Sequence, residues 1–334
     1  NAVACGNVGD TVIDAVDRDN PYDVLVLELS SFQLHWAREA SFTAAAILNI
    51  ADDHLDWHGS FEAYAQAKFS ILDRCETAIL NADDGPVVLG ANRFAGRKIF
   101  FSLDTPAPGE IGVVEELLID RAFVADPQEA SMICELIDIV PTVPHNVSNA
   151  LAAAGLALSL DVPHEAIQKA LQSFRPGRHR IETVHEADGI TWVDDSKATN
   201  PHAAAASLMS HLSVVWIAGG LAKGADMEAL VERCASRIKA AILIGADRDL
   251  IEAALIKHAP GIPRILVNAP SEYSRGGESN SLMELIVQAA SEHANSGDAV
   301  LLAPACASMD QFISYADRGD RFAAAVRKVV AHEA

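Results

Sequence analysis

Short apolar runs alternating with helical patterns along nearly the whole chain are what most constrain its fold. Runs at residues 2–4, 24–29, 44–50, 78–80 and 98–102 have strand length, and helical sequence lies between them. Strands separated by helices imply a parallel sheet with helices packed against it. Residues 111–140 break that rhythm and read as a small antiparallel excursion. HNVSNALAAAGLALSL and residues 163–174 read as helices, after which RPGRHR (175–180) concentrates Pro, Gly and cationic or imidazole groups. A second alternating set follows at 191–194, 214–218, 240–244, 264–267 and 299–303. The expectation is α/β throughout, with one parallel-sheet domain over 1–176 and a Rossmann-like domain over 177–334. The linker-like segment is SRGGESNS at 274–281.

Composition excludes several classes. The chain has 334 residues, 50% of them hydrophobic, enough for two cored domains. No apolar run reaches the roughly 18 residues of a membrane span, and no signal-like segment opens the chain. A formal charge of −21 disfavours nucleic-acid or anionic-membrane surfaces. Cys5, Cys75, Cys134, Cys234 and Cys306 are scattered with no CxxC pair, which points to reduced thiols and a cytoplasmic protein. A monomer is expected.

One charge stands out in VLVLELSSFQL, where an apolar run leads into Glu28. A buried lone carboxylate is costly, but a strand's C-terminal end is where open α/β sheets bind ligands. Alone, Glu28 reads as a solvated strand end. The next strand runs into ADDHLDWH, which gathers Asp52, Asp53, His54, Asp56 and His58. Two neighbouring strands ending in carboxylates and imidazoles suit Mg²⁺ better than a solvated acidic turn does. In SFEAYAQAKFSILD, Ser60 reads as an N-cap. There Phe61, Tyr64, Ala65, Lys68 and Leu72 form one apolar stripe. Lys68 either snorkels or is desolvated toward its neutral, modifiable amine.

GNVG (6–9), ELSSFQL (28–34), the NIADDHLDWH run, AYAQAK and HNVSN (145–149) together resemble the Mur ligases of peptidoglycan synthesis. DSKATN (195–200), GGLAKGAD and PACASMDQF (304–312) extend the match in the family's order. ELSSFQL and PACAS point, within the family, to the member that adds D-glutamate to UDP-N-acetylmuramoyl-L-alanine. The resemblance implies an ATP-dependent ligase whose domain 1–176 is the ATPase-type domain and whose domain 177–334 binds the amino acid. It implies Glu28, His54 and a carbamylated Lys68 around Mg²⁺, with Asp53 in supporting range. ATP would meet Asn7, Asn146, Asn149, Arg180 and Asp195, with Lys197 beside the phosphates. D-glutamate would meet Thr199, Lys223, Ser308 and Tyr315, the last standing where the family pattern leads us to expect Phe. Lys68, His54 and Lys197 would be the catalytic set.

Taken singly, HNVSN reads as an N-cap with exposed Asn, RPGRHR as a solvated hinge and GGLAKG as an ordinary strand-to-helix turn. Three other functions compete: a related amide ligase, including one that extends folate; a nicotinamide oxidoreductase; and a non-catalytic binding fragment. ELSSFQL, PACAS and the absence of a DNPR-type motif oppose the first. The lack of G-x-G-x-x-G after any strand opposes the second. No lysine here is followed by Ser or Thr, so the phosphate-binding Gly-Lys-Ser/Thr loop is expected upstream of Asn1, in a longer ligase. Residues 1–334 alone are then expected to be inactive.

Overall fold

The computed structural model describes residues 1–37, 39–126, 128–270 and 281–330, the side chain of Asp56 excepted. The linker-like stretch 274–281 therefore lies, but for Ser281, outside the described residues. The chain forms two compact units: Asn1–Thr142 with Asn146–Ser173, and Val143–His145 with Phe174–Ala334.

The first unit opens with β1 (Ala2–Gly6), α1 (Val12–Val16), β2 (Val24–Glu28) and α2 (Ser31–Trp36). β3 (Phe42–Ile47), α3 (Leu55–His58), α4 (Phe61–Phe69), β4 (Cys75–Asn81), α5 (Gly85–Ala91) and β5 (Arg97–Phe101) follow. The unit ends with β6 (Ile111–Val114), β7 (Leu117–Asp120), β8 (Ser131–Glu135), α6 (Pro144–Leu158, of which the part from Asn146 belongs to this unit) and α7 (His164–Ser173). A six-stranded sheet runs in chain order from β3 to β8, parallel up to β6 and antiparallel through β7 and β8. The broken rhythm after residue 111 is thus an antiparallel meander. β4 shows the period of two that a doubly covered strand requires. Ile79 enters the core with Val147 and Leu151 of α6, while Ala78 and Leu80 join Tyr64 and Phe69 of α4.

β1 and β2 pair in parallel as a separate two-stranded sheet, in register from Ala2↔Val24 to Gly6↔Glu28. The strands leading to Glu28 and to ADDHLDWH are therefore not hydrogen-bonded neighbours, which corrects the expectation that they share a sheet edge. β3 also stops at Ile47, so ADDHLDWH lies in the following loop and α3. What links the two regions is helix packing: α2 and α3 both lie against α4.

The second unit contains β9 (Glu182–Ala187), β10 (Ile190–Asp194), α8 (Pro201–Met209), β11 (Val214–Gly219) and α9 (Glu228–Cys234). It continues with β12 (Ile238–Ile244), α10 (Arg248–His258), β13 (Arg264–Leu266), α11 (Ser281–Ser291), β14 (Ala299–Leu302) and α12 (Tyr315–Val329). Strand order is β13-β12-β11-β14-β10-β9, with only β9 antiparallel. The alternation anticipates every parallel strand here and misses β9, whose sequence ETVHEA has no apolar run. α8, α9 and α10 cover one face with Val214, Trp216 and Ala218. α11 and α12 cover the other with Val215 and Ile217. The β13-to-β14 connection reverses the direction of winding, so β14 inserts between β10 and β11. Loops at the carboxyl ends on either side of such a reversal are where α/β sheets bind ligands.

Candidate active site

In the first unit the site is built on the end of β2. Gly6 takes φ +108°, and a Cβ there would sit 2.5 Å from the Glu28 carbonyl oxygen. Glycine lets the chain turn against β2, so the Asn7 N–H donates to Glu28 O (2.8 Å) and Asn7 Nδ2 to Glu28 Oε1 (2.9 Å). Glu28 is exposed, and one of its oxygens is held by the Asn7 amide. Directly after it Ser30 caps α2, with Gln33 completing a capping box.

His54 stands at the entry to α3 with φ 52°. Its N–H donates to Asp53 Oδ1 (2.9 Å) and its ring lies edge-on to Phe32 at 4.9 Å. The predicted cap of α4 is present, Ser60 Oγ accepting from Ala63 N. Burial lowers the Lys68 amine from its usual range, while the charges of Asp53 and Glu28 pull it back up. Burial, with a smaller push from Asp53, raises the Tyr64 hydroxyl to about 12. Lys68 Nζ lies 5.7 Å from the Tyr64 ring centroid. Lys68 is therefore a half-buried amine within the electrostatic reach of two carboxylates. Glu28 and Asp53 offer carboxylate oxygens of the kind Mg²⁺ accepts, and an ammonium at Lys68 would offer no donor. Among the described residues Glu28, Asp53 and His54 do not bring their ligand atoms within 4.8 Å of one another. Asn146, in the first turn of α6, is buried and donates to Pro141 O (2.9 Å), whereas Asn149 is exposed.

In the second unit the loops after β10, β11 and β14 carry the sequence-predicted residues. Asp195 follows β10, and burial raises its carboxyl to about 6 despite the Ile181 N–H bond and the Arg180 charge. Lys197 Nζ lies over the Tyr315 ring at 4.0 Å, and Thr199 N–H donates to Lys197 O (2.8 Å). Asn200 then caps α8, with Pro201 at its first position. Lys223 is exposed and takes φ 52°; Ser308 is buried, its carbonyl accepting from Phe312 N (2.8 Å).

Sequence reasoning misses the residues beneath these loops. Arg318 on α12 is fully buried, and that burial lowers its guanidinium to about 10. It donates to Ser196 Oγ (2.9 Å), Ser196 O (2.9 Å) and Cys306 O (3.2 and 3.3 Å), joining the loops after β10 and β14. An arginine in the helical pattern of α12 looks like any surface cation, so no sequence signal marks it. Among the described residues, one trio of His and acidic side chains brings its ligand atoms within 4.8 Å of one another: His179, Glu182 and Asp194. Those atoms are already engaged. Asp194 accepts from His179 Nδ1 (2.7 Å) and Ser196 N (2.9 Å), and Glu182 accepts from His179 N (2.9 Å).

Comparison with known proteins agrees with this architecture. Residues 11–157 match the Mur ligase middle domain and residues 179–306 the Mur ligase glutamate ligase domain. The chain is 50% identical over 332 residues to the UDP-N-acetylmuramoylalanine–D-glutamate ligase of Thermobifida fusca, covering 98% of this chain and 70% of that protein. It is 49% identical over 332 residues to the protein of the same name from Streptomyces coelicolor, covering 98% and 69%. Among solved structures, a pseudomurein peptide ligase type C from Methanothermus fervidus aligns with TM-score 0.64 at 16% identity, over 92% of this chain and 69% of that one. MurF from Acinetobacter baumannii aligns with TM-score 0.60 at 18% identity, over 94% and 65%. At such identities the structures speak for the fold, while the two domain matches and the near-half-identical relatives carry the ancestry: the chain belongs to the Mur ligase family.

Proposed function

We propose that the protein joins D-glutamate to UDP-N-acetylmuramoyl-L-alanine at the expense of ATP, a step of peptidoglycan synthesis. The observation that carries this reading is the half-identity to relatives of that name across 98% of the chain. The domain division follows the same reading: the part up to residue 176 serves ATP, and the part from 177 serves the amino acid.

The substrate carboxylate attacks the γ-phosphorus of ATP and ADP leaves, giving an acyl phosphate. The neutral amine of D-glutamate then attacks the acyl carbon. The tetrahedral intermediate expels phosphate, and the ammonium formed gives up its proton. Both steps develop charge on phosphoryl oxygens, which bound Mg²⁺ would neutralise. Glu28, His54 and Lys68 are the residues that would hold the metal. The neutral Lys68 amine, favoured by burial, adds to CO₂ and loses a proton, so a cation becomes a carbamate with two donor oxygens. Asn7 orients Glu28 through its 2.9 Å bond. Lys197 serves the phosphates, with Asn146, Asn149, Arg180 and Asp195 around the nucleotide. Lys223, Thr199, Ser308 and Tyr315 serve D-glutamate, Lys223 as the cation for a carboxylate.

The test is ATP-dependent phosphate release by the complete protein with UDP-N-acetylmuramoyl-L-alanine and, in turn, D-glutamate, L-alanine, L-lysine and diaminopimelate. D-glutamate alone should support turnover. Equal rates with any of the others would remove the reading.

A further inference from the structure

The loop after β12, Gly245 to Asp247, carries none of the residues assigned to either substrate, yet it grips both amino-acid loops. Asp247 Oδ2 accepts from Ala222 N (2.8 Å), and Asp247 N donates to Gly220 O (3.0 Å). These bonds pin the residues immediately before Lys223. One residue earlier, Ala246 N donates to Asp310 Oδ2 (2.8 Å), and Asp310 lies two residues after Ser308. The two gripped loops are also stitched to each other, Leu221 N to Ala307 O (2.8 Å) and Ala307 N to Leu221 O (2.9 Å). Gly245 makes the junction possible. With φ +80°, a Cβ there would lie 2.4 Å from Gly220 N and 2.7 Å from Asp310 Oδ2.

Resting on the D-glutamate reading above, we propose that Asp247 and Asp310 are positioning residues that hold Lys223 and Ser308 in the register the amino acid requires. Lys223 is exposed, sits in the left-handed region and precedes Gly224, which is also at positive φ. The exposed Lys223 follows the buried Ala222 on a strained turn, and the Asp247 bond at Ala222 adds a polar anchor directly before the lysine. Ser308 is anchored from the other side through Asp310. Neither carboxylate meets the substrate; each acts through the backbone of its loop.

The experiment is steady-state kinetics of the complete protein carrying Asp247→Ala, Asp247→Asn, Asp310→Ala or Gly245→Ala, with melting temperatures measured alongside. Asp247→Ala, Asp310→Ala and Gly245→Ala should raise the D-glutamate KM about tenfold, and the ATP KM should stay within about twofold. Asp247→Asn keeps an acceptor oxygen and should recover most of the loss. In a double-mutant cycle, Asp247→Ala should add little to the KM of Lys223→Ala, because both remove the same contact. A purely structural role would lower the melting temperature without this split and would add fully to Lys223→Ala, which overturns the proposal. If Asp247→Ala does not fold, Asp310→Ala carries the equivalent cycle with Ser308→Ala. Wild-type protein that shows no D-glutamate dependence sinks the functional reading; dependence in the wild type with unchanged KM in the variants sinks only this inference.

Discussion

Lys68 shows how one residue gains meaning from its surroundings. Its place on an apolar stripe is readable from spacing, but two outcomes fit that spacing equally: a snorkelling ammonium and a desolvated amine. In the structure burial favours the neutral amine, while the charges of Asp53 and Glu28 favour the ammonium. If the amine becomes a carbamate, Lys68→Ala should abolish ligation, and short-chain carboxylic acids should restore part of the phosphate release by replacing the anion. Restoration by amines instead would mean an ammonium role. Asp195 presents the opposite case, a carboxyl raised to about 6 chiefly by burial. Between its ordinary value of 3.8 and about 6 the folded state binds more protons than the unfolded one, so stability falls as pH climbs through that window and stays reduced above it. Asp195→Asn should therefore be more stable than wild type at pH 8 by about 3 kcal/mol. The gap should close below about pH 4, while ligase activity falls. Equal urea midpoints at pH 8 would show that the buried charge carries no such cost.

Among the elements, α12 does more than cover a sheet face. Phe322 and Val326 pack into the core, while Arg318 on the same helix reaches under the loops after β10 and β14. Replacing Arg318 by Met keeps the volume and leaves the carbonyls of Ser196 and Cys306 without their donor. That change should destabilise the unit by about 3 kcal/mol, read as a lower urea midpoint at constant m-value. The β1–β2 pair is the element whose sequence misleads. VLVLE has the composition of a central strand, yet among the described residues β1 is the one strand paired with β2, and Val26 is 52% exposed. An apolar run specifies that a strand can form; it does not specify which strand lies beside it.

For the whole molecule, the second unit carries the complete requirements of a domain. Its sheet is covered on both faces by its own helices, and both hydrophobic clusters are built mainly from residues after 174. Residues 174–334 expressed alone should therefore unfold in urea in one cooperative transition, with coincident fluorescence and circular dichroism curves. Non-coincident curves, or a molten far-ultraviolet spectrum, would show that the unit depends on the rest of the chain.

The sequence by itself determined the α/β class, every parallel strand of the second unit, the antiparallel meander after residue 111 and the family, because these depend on local period and on linear motifs. Unusual charge at a strand end or on an apolar face also marked Glu28, His54 and Lys68 in one dimension, whereas Lys197 and Lys223 were singled out by the resemblance to the family. Only the tertiary structure decided that β1 and β2 stand apart from β3. The same holds for the loop after β12 meeting Ala222 and Asp310, and for Arg318 lying under two loops. Those facts rest on hydrogen bonds between residues far apart in the chain, whose partners are chosen by sheet order and packing rather than by the composition of either segment.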